Sequence, residues 1–203
     1  MPRIEGASPR TRNPFVRFVF WYVRRQLGRD VQPLRGYATS SAVLASTVAL
    51  EVGMERARRV DPRLRQLAEL RVASLVGCPF CLDIGSALVR RAGVSDRQVR
   101  ELHDWRRSDA FSPLEKLVLS YADRMTATPV VIDEDEFARL REHFDEAQIV
   151  ELTAAIAHEN LRARINHALG YGAEGFSADG VCALPARPVP PLTPVRTVAH
   201  DAA

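Results

Sequence analysis

Cys78 and Cys81 enclose Pro79 and Phe80 in a C-x-x-C, the arrangement with the most chemistry in the chain. A spacing of three puts both sulfurs on one side of a helix's first turn, close enough to close a small-ring disulfide. Gly77 ends one predicted helix and Pro79 lies just inside the next, so the motif falls at the junction. As the cap residue, Cys78 would hold its sulfur beside free backbone N–H groups and the positive end of the helix, both of which favour thiolate. Pro79 removes a competing donor and fixes the turn. The same motif is half of a zinc site, and it can also be a pair of inert buried thiols. Zinc lacks its second half, because Cys182 is remote and His103, His143, His158, His167 and His200 show no paired spacing after a second cysteine. A redox dithiol is the preferred reading, with no metal and no cofactor required.

A second candidate is the passage Ala157-His158-Glu159-Asn160-Leu161-Arg162-Ala163-Arg164-Ile165-Asn166-His167, polar within a helix otherwise rich in Ala, Leu and Ile. Polar groups in a core helix must find partners. Either His158 serves as acid or base on a second wall of an active pocket, or the passage is an ion-pair and hydrogen-bond network. Glu159 with Arg162, and Asn160 with Arg164, have the pairing intervals of such a network.

The elements that position these residues are all helical, since no segment alternates as a strand does. Asn13 and Pro14 start a helix over 15–27 that ends at Gly28. This helix is aromatic and basic; it either attaches to an anionic membrane surface or packs on the body or a neighbouring subunit. Aromatic residues surround much of it instead of forming one clean face, which favours packing. After a break at Gly36, stretches 40–59 and 62–76 read as two core helices, and 81–91 carries the second cysteine to a stop at Gly93. Ser95 with Gln98, Ser112 with Glu115, and Asp145 with Gln148 predict capped helices over about 95–105, 112–127 and 145–169. The acidic run 133–136 predicts the first turn of another. Residues 1–12 read as a flexible arm and 176–203, with prolines at 185, 188, 190, 191 and 194, as a disordered tail. The predicted organisation is an N-terminal arm and helix over 1–36, a helical domain over 37–175, and that tail.

Composition narrows the function classes. Apolar residues at 46% and charged residues at 26% are near globular averages. The net charge of +3 hides a segment, 1–36, with eight arginines against Glu5 and Asp30. Lys116 is the only lysine, so codon bias accounts for the arginine excess, and no nucleic-acid reading motif accompanies the basic arm. Three cysteines do not form a disulfide framework, no signal peptide is evident, and the apolar run 15–23 is too short to span a bilayer. The expected location is the cytoplasm.

Leu64-Arg65-Gln66-Leu67-Ala68-Glu69-Leu70-Arg71-Val72-Ala73, then Gly77-Cys78 and Cys81, then Ala92-Gly93-Val94-Ser95, resemble the core of the carboxymuconolactone decarboxylase family. Within that family the chain is similar to the alkylhydroperoxidase-like (AhpD-like) branch, and the resemblance covers roughly 60–170. It implies an alkylhydroperoxidase-like helical bundle and self-assembly into trimers or hexamers. It also implies peroxide reduction by the cysteine pair, with electrons from a partner thiol or dithiol protein. The peroxidase branch carries a proton relay of a glutamate and a histidine; the matching positions here are Gln66 and Gly85. Glu69 shares the helical face of Gln66 and is a substitute base, or else an ion-paired charge; Asp83 points away from the sulfurs and ranks below it. Cap position favours Cys78 as the attacking thiol, whereas the family relay acts at the second cysteine. The competing functions are a lyase acting on a lactone acid and a non-catalytic oligomeric binding protein of the same fold.

Overall fold

Helices are the only regular elements among the described residues of the computed structural model, which cover 2–178 and 180–186. In chain order they are α1 (Pro14–Leu27), α2 (Gln32–Tyr37), α3 (Ser41–Arg56), α4 (Pro62–Val76), α5 (Pro79–Arg91), α6 (Asp96–Glu101), α7 (Pro113–Thr126), α8 (Glu134–His143) and α9 (Glu146–Ala168). A 3-10 turn, Leu102–Asp104, follows α6 and completes the stretch predicted as one helix to about residue 105. The all-α class expected from the sequence is the class observed. Local start signals account for most boundaries. Ser95, Ser112 and Asp145 each accept from the backbone three residues on, while Gln98, Glu115 and Gln148 reach back to the cap. Each such cap is worth about 1 kcal/mol.

α4 is the centre. Its residues at helical spacing fall into two apolar stripes that look in different directions. Leu67, Leu70 and Ala73 join a core shared with α1, α2 and α5, whereas Leu64, Ala68 and Val72 join one shared with α7, α8 and α9. Buried on nearly every side, α4 carries Arg71 inside the protein, where its guanidinium meets Asp123 of α7 at 2.5 Å and the Leu102 carbonyl at 3.2 Å. A charge at that depth is tolerated only because it is paired.

The structure departs from the sequence reading at four places. Gly36 does not break the chain: it lies inside α2, and a Cβ there would stand 1.6 Å from the Tyr171 hydroxyl oxygen, so glycine is required by close packing. The stretch 40–59 is the shorter α3, and it is not a core helix, for it buries only Leu44 and Met54 while Val43 and Leu50 face outward. The arm is tied down, with the Arg3 N–H donating to the Leu169 carbonyl at 2.9 Å and the Ala7 N–H to the Arg35 carbonyl at 2.7 Å.

The fourth departure is at the C-terminus. Residues 176–186, assigned by sequence to a tail, are bonded to the body; the rest of that predicted tail, 187–203, lies outside the described residues. The Asp83 carboxylate accepts from the N–H groups of Glu174, Phe176 and Ser177 and from the Ser177 hydroxyl at 2.7–3.0 Å. Ser86 Oγ accepts the Ala183 N–H at 2.9 Å, and Ser74 Oγ donates to the Leu184 carbonyl at 2.7 Å. Burial alone would raise the Asp83 carboxyl, but these donors outweigh it and hold it below the ordinary range. Asp83→Ala is therefore expected to cost about 2–3 kcal/mol of stability in urea unfolding. Amide exchange should quicken at Glu174, Phe176 and Ser177 in particular, and unchanged protection there would show that Asp83 is not the anchor.

Candidate active site

The cysteine pair occupies the joint between α4 and α5. Gly77 takes φ +73°, which reverses the chain at the end of α4, and the N–H groups of Gly77 and Cys78 both return to the Ala73 carbonyl. Cys78 is the cap of α5, its Sγ accepting the Cys81 N–H at 3.2 Å, with Pro79 opening the helix. The two thiols are free, with Cys81 Sγ 2.6 Å from Cys78 Sγ, so a disulfide needs little movement. Their surroundings differ. Cys78 is wholly buried at 0%, whereas Cys81, at 5%, forms part of the wall of a cavity of about 740 Å³.

α1, α2 and α3 close one side of this cavity, and α4, α5 and α9 the other. Most of the wall is apolar, through residues such as Val19, Val23, Leu34, Leu44, Leu70 and Ile84. The polar end is supplied by α9, where Glu159, Arg162 and Asn166 fall on one helical stripe and all three line the cavity. Asn166 Nδ2 lies 3.5 Å from Cys81 Sγ, and Asn166 Oδ1 accepts the Tyr37 hydroxyl at 2.7 Å, which orients the amide. Burial first, and then the nearby Cys81, push the Tyr37 hydroxyl up, so it stays a donor.

Glu159 lines the same cavity as the thiol. Burial is the main influence on its carboxyl and raises it; the neighbouring Glu69 charge acts in the same direction, while Arg162 and the Cys81 thiol oppose. Its Oε2 is 2.6 Å from Arg162 Nη2. Cys81 is itself pushed up, first by the Cys78 sulfur, then by burial and the Glu159 charge, and Asn166 acts against that. Both groups line the cavity, and the burial that keeps the proton on Cys81 also raises the affinity of the Glu159 carboxylate for one.

Of the residues named from sequence, Cys78, Cys81 and Glu69 are brought to one place and His158 is not. Glu69 lines the cavity, but its Oε1 is held by Arg65 Nε at 3.0 Å and Arg162 stands 4.0 Å from its Oε2, so its charge is felt at Glu159 and not at the thiols directly. His158 is buried on an adjoining face of α9, its Nε2 3.3 Å from Glu51 Oε1 without the alignment of a good hydrogen bond. Glu51 bridges His158 and Arg162; burial would raise it, but those two partners win and bring it down to about 2. The predicted Glu159–Arg162 and Asn160–Arg164 pairs both form, at 2.8 Å and 3.3 Å. The functional residues missed from sequence are Glu159, treated only as a pairing partner, together with Arg162, Asn166, Glu51 and Tyr37. A polar stripe at 159, 162 and 166 on an apolar helix was the available signal. Gln66 and Gly85, at the relay positions, both line the cavity, and a Cβ at Gly85 would stand 3.1 Å from Leu70 Cδ1. Among the described residues no group of three His, Cys, Asp or Glu is placed to hold a metal ion.

This fold, with a C-x-x-C at the α4–α5 joint, has known counterparts. Residues 42–124 match the model of the carboxymuconolactone decarboxylase family. The Escherichia coli protein YnjA, whose function is uncharacterised, is 36% identical over 184 residues, spanning 89% of this chain and 97% of YnjA. The chain belongs to the carboxymuconolactone decarboxylase family. Within it the fold is that of the AhpD-like branch. A peroxidase-related protein with an alkylhydroperoxidase AhpD core from Ralstonia eutropha superposes with a TM-score of 0.77 at 16% identity, covering 86% of this chain and 94% of that one. The debrominase Bmp8, solved as a Cys-to-Ala variant with 2,3,4-tribromopyrrole, has a TM-score of 0.72 at 19% identity, covering 84% and 91%. Members of this family are often enzymes. Among the described residues no helix is long and apolar enough to cross a membrane.

Proposed function

We propose that the chain is a thiol-dependent peroxidase that reduces organic hydroperoxides, with Cys81 as the attacking sulfur and Cys78 as the resolving one. One observation carries this assignment: Cys81 opens on the cavity, whereas Cys78 is wholly buried behind it and capped on the helix. The proton of Cys81 passes to Glu159, and the thiolate attacks the terminal oxygen of the hydroperoxide. The S–O bond forms as the O–O bond breaks, and the alkoxide leaves with the proton from Glu159. The Cys78 thiol then attacks the sulfenic acid, closing the disulfide and releasing water. An external dithiol reduces the disulfide by two exchange steps and is itself oxidised, so each peroxide consumes one pair of electrons. The donor is a partner protein, and the working form is a homo-oligomer.

The apolar wall also suits an aromatic substrate. Bmp8 supports a second reading, reductive chemistry on a halogenated ring by the same dithiol. The assay that tests the proposal follows tert-butyl hydroperoxide with dithiothreitol as donor and tribromopyrrole in parallel. Catalytic peroxide loss with reversible loss of two thiols per chain is expected. Fully reduced protein that consumes no peroxide would rule the reading out, and halide release alone would move the assignment to the second.

A further inference from the structure

The cavity offers a guest no free cation at its inner end and two at its mouth, which selects what can enter and in which direction. At the inner end, Arg162 is surrounded by Glu51, Glu69 and Glu159 at 2.6–4.0 Å and Glu69 also pairs with Arg65, so no cation there is left free for a guest. A substrate anion brought there would have to displace one of these carboxylates from its partner. At the mouth the balance reverses. Arg56 and Arg58, at and just past the end of α3, are exposed and line the cavity. Their guanidiniums donate to the Val52 and Glu55 carbonyls, and neither has a carboxylate within 4.0 Å among the described residues. Glu55 is the one carboxylate on that rim. Along α3 the step from Glu51 to Arg56 covers roughly 8 Å at 1.5 Å per residue, and apolar side chains, among them Val52, Leu70 and Ile84, supply much of the remaining wall.

From this contrast we infer that the site takes an amphipathic hydroperoxy carboxylic acid, with Arg56 and Arg58 holding its carboxylate at the mouth. The hydrocarbon lies against the apolar wall, and the uncharged hydroperoxide is the end that reaches Cys81. At about 740 Å³ the cavity is many times larger than a peroxide of water-like size, roughly 30 Å³, and most of its surface would be wasted on one. The identity of the reacting group rests on the peroxidase reading, whereas the carboxylate contact does not.

Unreactive probes separate the two. Decanoic acid and 1-decanol are titrated into the reduced full-length protein by calorimetry, in low salt and in 0.5 M salt. The acid is expected to bind roughly tenfold more tightly than the alcohol, since two surface guanidiniums each contribute a modest charge-assisted contact. Salt should erase that preference, and so should the double variant Arg56→Gln/Arg58→Gln, whose circular dichroism checks the fold. Equal binding of acid and alcohol by the unaltered protein, or a preference that survives the double variant, would overturn the inference. Selective acid binding by a protein that consumes no peroxide would uphold the carboxylate site and remove the peroxidase reading instead.

Discussion

Cys81→Ser is expected to abolish peroxide reduction, with a loss on the order of 10³-fold or more, because no other nucleophile on the cavity wall can replace the thiolate. Cys78→Ser should behave differently. It stops turnover as well, since no second sulfur remains to close the disulfide, yet it should still consume one equivalent of peroxide and stop at a sulfenic acid on Cys81. Dimedone trapping followed by mass spectrometry distinguishes the two. The prediction follows from burial: Cys78 is at 0% and Cys81 borders the cavity. A trapped sulfenate on Cys78 in the Cys81→Ser protein would reverse the assignment and favour the cap position as the reactive one.

Glu159→Gln should lower kcat/KM by about 10²–10³-fold near neutral pH, the range for removal of a general acid–base group. The pH profile tests the role more sharply than the rate does. Burial raises the Glu159 carboxyl above its ordinary 4.5, so the acid limb of the native profile should lie above that value, activity rising as the carboxylate forms. In the glutamine variant that limb should vanish, and the rate should climb toward alkaline pH as Cys81 ionises without help. Thermal unfolding serves as a control, because the variant also removes one partner of Arg162, which keeps Glu51 at 3.2 Å. A variant with reduced rate and an unaltered profile would make Glu159 structural only.

Local rules made the chemistry at the cysteines legible. Gly77, Pro79 and the cap preference depend on residues within one turn of each other, and the joint they predict is the joint observed. The alternative at α9 was not legible in the same way. His158 and Glu159 are neighbours in the chain but point about 100° apart, and only the packing of α9 against α4 and α5 decides which one meets the thiol. The cavity itself was also out of reach of pattern reading. α1 carries aromatic residues around much of its surface, so its inward face, Val16, Val19 and Phe20, becomes visible only once it is docked. Residues 176–186 were misread for a related reason: Asp83, Ser74 and Ser86, which anchor them, are distant in sequence, and composition alone cannot show a bond between remote segments.

The two sides of the cavity come from separate stretches of chain. The two cysteines and Glu159, which carry the electrons and the proton in the proposed reaction, lie at the start of α5 and on α9, whereas much of the surface facing a guest lies on α1, α2 and α3, which precede them. Selection can therefore act on diet and on reactivity almost independently. Substitutions, insertions or a different leader helix before residue 57 that spare Tyr37 and Glu51 would retune what is accepted while leaving the sulfur chemistry intact, a route by which one scaffold could diversify across lineages without rebuilding its reactive centre.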